Sequence, residues 1–137
     1  MKKFEYIEHT ADIGIRAFGK SLPELFENAA LGMAHVFAEP GKATKDETYT
    51  VEVEAKDLEE LLVNWLNEIL YRFNKNKIIP ASAKIEHIDN NRLKGTVNGE
   101  KYDSSRHNLK REIKSTTYHM LKIKKKDFWE ATVIFDV

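Results

Sequence analysis

The chain has 137 residues, of which 42% are hydrophobic and 32% are charged, a balance typical of one globular domain. No apolar run approaches the roughly 18 residues of a membrane-spanning helix, and no apolar segment of a signal peptide follows Met1–Glu5. The absence of cysteine excludes disulfides, thiolate metal sites and cysteine nucleophiles. We therefore expect a single domain over residues 1–137, located in the cytoplasm and without a membrane partner.

The formal net charge is zero, with 22 basic and 22 acidic residues, but the charges are unevenly distributed. Residues 101–126 contain nine Lys or Arg against Asp103 and Glu112, a local excess of positive charge. Such a segment can attract a polyanion such as RNA. The alternative is a solvated strand face followed by a polar hairpin loop at Lys124–Asp127.

Three elements are predicted before residue 40. Residues 4–8 and 13–18 alternate apolar and polar side chains, which predicts two half-buried strands around a turn at His9–Asp12. Ser21 begins a capping box, and apolar residues then recur every three or four positions to near Ala38. This spacing predicts an amphipathic helix.

A strand and a second helix come next. Residues 48–55 alternate apolar and polar side chains, as a half-buried strand does. Asp57 is placed as a helix N-cap, and an apolar stripe then continues to Phe73. The polar residues 74–77 are expected to form the frayed end of this helix.

Two hairpins complete the predicted elements. Residues 83–88 and 92–97 form the first, and residues 113–123 and 129–137 form the second. Strands, a helix, a strand, a helix and further strands in this order indicate the α+β class. We expect two helices packed on one face of a mostly antiparallel sheet.

Asp12 and Asp136 are the first candidates for a functional site. Each alternates with apolar residues, so both carboxylates are expected on the sheet face away from the core. Ca²⁺ and Mg²⁺ bind carboxylate and other oxygen ligands, which Asp12, Asp136 and the α-carboxylate of Val137 could supply. His9 could bind a transition metal directly or orient a carboxylate. The alternative is that Asp12 caps a turn and Asp136 is merely exposed, since spacing alone cannot join such distant residues.

Residues 102–119 form a second group rich in charged and hydroxyl side chains. Arg106 and Lys114 could hold phosphate, and His107 could act as an acid or base. The alternative is that Tyr118 and its neighbours are ordinary sheet residues. The sequence has no phosphate-binding glycine loop, no nucleophile elbow and no HExxH zinc motif, which argues against a self-contained NTPase, dinucleotide enzyme or serine hydrolase.

Three motifs together resemble the archease family. They are the segment His9–Gly14 with sequence HTADIG, the segment Glu112–His119 with sequence EIKSTTYH, and the closing Val133–Val137 with sequence VIFDV. The resemblance spans essentially the whole chain. Ser115-Thr116 stands where the family pattern has Ala-Val, a difference that leaves the charged residues unchanged.

The resemblance implies a protein cofactor rather than an enzyme. Archeases assist the RtcB-type RNA ligase of tRNA splicing: they promote its guanylylation, support multiple turnover and broaden its nucleotide use. The resemblance implies a divalent cation, typically Ca²⁺, bound by Asp12, Asp136 and Val137, with His9 as a neighbour.

The resemblance also implies a contact with the ligase, and with tRNA through that complex. The residues expected at this contact are Arg106, His107, Glu112 and Lys114.

Two other functions stay open at this point. One is a stand-alone RNA-binding module that uses residues 101–126, although most aromatic residues fall in core stripes rather than among the basic residues. The other is a metal-dependent hydrolase that uses Asp12 and Asp136. A chaperone-like role has no motif that would test it.

Overall fold

The computed structural model describes residues 1–9, 12–38 and 46–137, and the side chains of His9 and Asp12 lie outside this description. The described residues form eight strands and two helices. The elements are β1 (Phe4–His9), β2 (Asp12–Gly19), α1 (Leu22–Phe37), β3 (Glu47–Glu54), α2 (Leu58–Asn76), β4 (Ile78–Ile88), β5 (Arg92–Lys101), β6 (Ser115–Thr116), β7 (Lys122–Lys125) and β8 (Trp129–Asp136).

The strands form two antiparallel sheets. The larger sheet has the order β1-β2-β8-β6, and β7 also pairs with β8. The smaller sheet has the order β3-β5-β4. Both helices pack against these sheets, which confirms the predicted α+β class and antiparallel pairing. The sequence predicted one sheet, but the strands form two. Strands β3 and β4 pair with β5, whereas β2, β6 and β7 pair with β8.

Side-chain caps start both helices where the sequence predicts. The Ser21 hydroxyl accepts a hydrogen bond from the Glu24 N–H at 3.3 Å, and Asp57 caps α2 in the same way. Helix α2 continues through the polar residues that were expected to fray, because Lys77 closes it in a left-handed conformation with a φ of 59°. Within the described ranges, no helix is long and apolar enough to cross a membrane.

The core lies between the helices and the sheets. Trp65 of α2 is fully buried and donates its indole N–H to the Phe26 carbonyl of α1 at 3.0 Å. The rings of Phe37 and Phe73 lie 4.3 Å apart near the C-terminal ends of both helices. Burial of each such side chain stabilises the fold by roughly 1.5–3 kcal/mol before entropy is subtracted. The apolar stripes of the helices therefore serve packing.

The prediction of one continuous strand over residues 113–123 is wrong, because the strand is interrupted. Its two parts, β6 and β7, both pair with β8, while residues 117–121 leave the sheet. The Thr117 N–H and hydroxyl both donate to the Ile134 carbonyl, at 3.0 and 2.9 Å. These two bonds end the regular ladder, and a turn follows.

Candidate metal centre at the strand ends

The pairing of β2 with β8 brings two distant carboxylate residues to one end of the sheet. Ile13 lies opposite Phe135, and the register continues without a shift to Gly19 opposite Trp129. Asp12 and Asp136 each come one residue beyond the Ile13–Phe135 pair, at the terminus of their strands. Cα atoms of opposed residues in antiparallel strands are about 4.5–5.5 Å apart. The main chain therefore places the two aspartates side by side.

The neighbouring strands extend this arrangement into a row across the sheet. His9 pairs with Asp12 on one side, and Ser115 pairs with Asp136 on the other. Asp136 is exposed, and so is Val137, which follows it directly. We call Asp12, Asp136 and Val137 the strand-end site.

The donor side chains of this row are described only in part. The predicted roles of the His9 and Asp12 side chains fall outside the described residues. Among the residues whose side chains are described, no group of three or more His, Asp or Glu side chains is clustered as a metal site. The proximity of Asp12 to Asp136 therefore rests on main-chain register.

Gly14 allows β2 and β8 to approach closely beside the strand-end site. It pairs with Ile134, and a Cβ atom at Gly14 would overlap the main-chain carbonyl oxygen of Val133. The same Cβ would also lie 2.8 Å from Cδ1 of Ile134. Only glycine fits this position without displacing β8, which gives the last residue of the HTADIG motif a structural role.

Residues 107–114, which we call the crossing segment, connect α1 to the strand-end site. The Lys110 N–H donates to the Phe37 carbonyl at 2.9 Å, at the end of α1. The Lys114 N–H donates to the Asp136 carbonyl at 2.7 Å, at the end of β8. Between these bonds, Ile113 is 2% exposed and belongs to the hydrophobic core. The crossing segment is thus anchored by two main-chain hydrogen bonds and by one buried side chain.

The crossing segment presents charged side chains beside the sheet. Those of Lys110, Arg111, Glu112 and Lys114 are exposed. Lys110 and Arg111 line a groove of about 230 Å³ together with Glu8 and Ile13. Ile13 directly follows Asp12 in the chain. The Lys110 ammonium donates to the His35 carbonyl at 2.9 Å, a favourable position for a cation near a helix C-terminus. Two of the four residues expected at the ligase contact, Glu112 and Lys114, therefore belong to this surface.

The other two, Arg106 and His107, both contact the buried carboxylate of Glu100, although the Arg106 side chain itself is 45% exposed. His107 is 5% exposed, and its Nε2 atom lies 3.3 Å from the carboxylate of Glu100, which is itself 3% exposed. Arg106 also forms an ion pair with Glu100. The Asp103 N–H lies 2.9 Å from Nδ1 of His107, and Nε2, on the other side of the ring, faces Glu100. The Arg106 guanidinium and the His107 ring together compensate for burial of the Glu100 carboxylate.

Sequence reasoning missed Glu100 as the partner of Arg106 and His107. Glu100 lies beyond the predicted strand 92–97, between Gly99 and Lys101, and nothing local indicates that Arg106 and His107 will cover it. The available signal was an acidic residue just after an alternating segment, followed six and seven positions later by Arg106 and His107. Nearby, the Ser105 N–H and hydroxyl donate to the Asp103 carboxylate and hold the pKa of Asp103 below its usual value.

Residues 4–137 match the model of the "Archease protein family (MTH1598/TM1083)". The chain belongs to the archease family. It is 40% identical to "Protein archease" of Methanosarcina acetivorans over 141 residues, covering 99% of this chain and 97% of that protein. It is also 41% identical to "Protein archease" of Pyrococcus abyssi over 142 residues, with complete coverage of both chains. The resemblance predicted from the three motifs is confirmed.

Two solved structures share the archease fold. The solution structure of Methanobacterium thermoautotrophicum protein 1598 matches with a TM-score of 0.83 at 35% identity, and all of both chains is covered. The crystal structure of a Thermotoga maritima protein described as "an archease, possible chaperone" matches with a TM-score of 0.58. Its identity is 24% over 100% of this chain and 98% of that chain, so this second likeness supports the fold alone.

Proposed function

We propose that this archease-family protein is a non-catalytic activator of an RtcB-type RNA ligase in the cytoplasm. In this proposal it promotes guanylylation of the ligase, supports multiple turnover and broadens the ligase's use of nucleoside triphosphates. Its contact with tRNA is made through the ligase complex. The observation that carries the proposal is the location of Asp12 and Asp136 on adjoining strand ends, one residue beyond the Ile13–Phe135 pair.

The donor set suits a hard divalent cation, and we propose Ca²⁺. Ca²⁺ takes six to eight oxygen ligands at about 2.3–2.6 Å, from carboxylates, carbonyls and water. Asp12, Asp136 and the main-chain carboxylate of Val137 would supply the protein ligands. His9 lies opposite Asp12 in the next strand, where it would orient that carboxylate as a neighbour of the cation. A bound cation would supply electrostatic stabilisation to a transferring nucleotidyl group.

The basic residues beside the strand-end site would act on anions and acidic surfaces of the ligase. Lys114 is bonded through its main chain to Asp136, and its side chain is exposed. Lys110 and Arg111 line the adjacent groove. His107 is too deeply buried to touch a partner, so we assign it to holding the crossing segment in place through Glu100. Arg106 pairs with the same carboxylate, but its side chain is 45% exposed and stays accessible to a partner. Glu112 and Lys114 would make the direct contact.

The proposal is tested by ligase guanylylation assays with wild-type protein, Asp12→Ala and Asp136→Ala. Asp127→Ala is the matched control, since Asp127 is an exposed aspartate that precedes β8 at its opposite end. We expect Asp12→Ala and Asp136→Ala to lose most of their stimulation of ligase guanylylation, and we expect the control to retain it. Undiminished stimulation by both strand-end variants would contradict the proposal. Metal-dependent hydrolysis by the isolated wild-type protein would instead favour the alternative function, a metal-dependent hydrolase that uses Asp12 and Asp136.

A further inference from the structure

The turn at residues 117–121 presents two large hydrophobic side chains to solvent. Tyr118 is 58% exposed and Met120 is 62% exposed, although they lie only two residues apart. Single exposed hydrophobic residues are normal on protein surfaces, whereas grouped ones often mark interaction sites. Tyr and Met are also enriched in protein–protein interfaces. The turn interrupts the edge strand between β6 and β7, so it is not required to continue the sheet.

The turn is held in one backbone conformation. The Thr117 hydroxyl donates to the Ile134 carbonyl and accepts a hydrogen bond from the His119 N–H at 3.2 Å. The Leu121 N–H donates to the Tyr118 carbonyl at 3.2 Å and closes the turn. Met120 has a φ of 55°, which residues with a side chain seldom adopt and which is common at functional sites. A turn fixed in this way loses little backbone entropy when it binds.

Positive charge flanks the turn on both sides. Lys114 precedes it and Lys122 follows it, and both side chains are exposed. In the described part of the chain, neither of these lysines forms an ion pair, whereas Lys124 pairs with Glu130 at 3.1 Å. An acidic rim on a partner would complement the two unpaired lysines.

The chemistry of the turn favours a protein over RNA as the occupant. Surfaces that bind single-stranded RNA stack successive bases on several aromatic rings between cations. Here the turn exposes only two rings, those of Tyr118 and His119, and its other exposed hydrophobic residue is the flexible thioether of Met120. Methionine adapts its shape to an apolar pocket but offers no flat face for a base.

We infer that Tyr118 and Met120 dock into an apolar pocket with an acidic rim on the partner protein. The inference rests on the proposed function, because the turn begins two residues after Ser115, which pairs with Asp136. The same partner would therefore meet the turn and the strand-end site together. In this arrangement the turn supplies affinity, and the strand-end site supplies activation.

The test measures the dissociation constant between this protein and the purified ligase. We expect Tyr118→Ala and Met120→Ala each to raise Kd by about tenfold or more, as truncation of a buried interface anchor does. Tyr71→Ala is the matched control, because Tyr71 is a similarly exposed tyrosine on α2, at 52%, and should leave Kd unchanged. Lys122→Glu should slow association and weaken its dependence on salt.

Guanylylation assays separate this inference from the proposed function. At saturating concentration, Tyr118→Ala should stimulate the ligase as the wild type does, whereas Asp136→Ala should bind the ligase without stimulating it. If both turn variants bind as tightly as wild type, the docking inference fails and the proposed function stands. If wild type binds but does not stimulate, the proposed function fails, and the Kd values alone decide the inference. Failure of wild type to bind overturns both.

An RNA-binding experiment distinguishes a protein partner from an RNA partner at the turn. The probe is a single-stranded RNA oligonucleotide, titrated in the absence of ligase. Protein docking predicts that Tyr118→Ala changes only the affinity for the ligase. Loss of RNA affinity with unchanged ligase affinity would overturn the inference in favour of an RNA contact.

Discussion

Ile13 lies directly opposite Phe135 across β2 and β8, and this pairing determines where Asp12 and Asp136 lie. A slip of one residue between the strands would turn every side chain to the opposite face of the sheet. The register resists such a slip because Ile15, on the same face as Ile13, is fully buried in the core. Hydrophobic packing on one face thus holds the two carboxylate residues together at the strand end.

Gly14→Ala is expected to disturb the strand-end site through the main chain. The new Cβ would overlap the Val133 carbonyl oxygen, so β2 and β8 must separate. We expect a loss of about 1–3 kcal/mol in the free energy of unfolding, together with weaker Ca²⁺ binding. Urea denaturation and calcium titration measure the two effects.

Gly95→Ala is the matched control for this experiment. Gly95 lies in the smaller sheet, where a Cβ would approach the Trp65 ring at 3.0 Å. This variant should lose stability while it keeps its affinity for Ca²⁺. Equal loss of Ca²⁺ affinity in both variants would show that general destabilisation is the cause.

Ile113→Ala is expected to loosen the crossing segment. Ile113 is 2% exposed in the core, and its truncation should cost about 2–5 kcal/mol in the free energy of unfolding. The Lys110 and Lys114 amides, bonded to Phe37 and Asp136, should then exchange hydrogen faster. Leu109→Ala is the control, because Leu109 is 48% exposed and should have little effect. Unchanged amide exchange in Ile113→Ala would contradict the anchoring role of this residue.

The turn between β4 and β5 should make stability depend on acid pH. N–H groups of Asn91 and Arg92 and the His87 ring hold the pKa of Asp89 below its usual value. A lowered folded-state pKa gives stability that is present above the unfolded-state pKa of about 3.9 and lost as pH falls further. Asp89→Asn should therefore have a lower Tm than wild type at neutral pH. The difference in Tm between the two proteins should become smaller below about pH 4. A difference in Tm that stays constant with pH would contradict a stabilising role for the Asp89 carboxylate.

Local patterns predicted much of the fold because their causes are local. Ser21 and Asp57 start helices through hydrogen bonds within one turn, so their residue types indicate the helix starts directly. Alternation in the last strand likewise predicted an exposed Asp136. The pairing of β2 with β8 joins residues more than a hundred positions apart, and its register depends on packing of the whole core. Sequence spacing alone therefore left the meeting of the two aspartates undecided.

Two features of the site depended on contacts that no local pattern encodes. The strand predicted through Tyr118 is interrupted because Thr117 binds the Ile134 carbonyl twice, which alternation does not indicate. His107 was expected at a surface contact, but it is buried because Glu100 lies beneath the segment that carries it. The archease resemblance implied a set of site residues, and the structure shows that Asp136, Glu112 and Lys114 are exposed whereas His107 is buried.

The central claim is that Asp12 and Asp136 bind one divalent cation between them, and calorimetric titration of the isolated protein with Ca²⁺ tests it most directly. The account predicts one Ca²⁺ per chain for wild type and for the Asp127→Ala control. It predicts no binding by Asp12→Ala or Asp136→Ala over the same concentration range. Wild-type affinity in both strand-end variants, or no Ca²⁺ binding by the wild type, would contradict the claim.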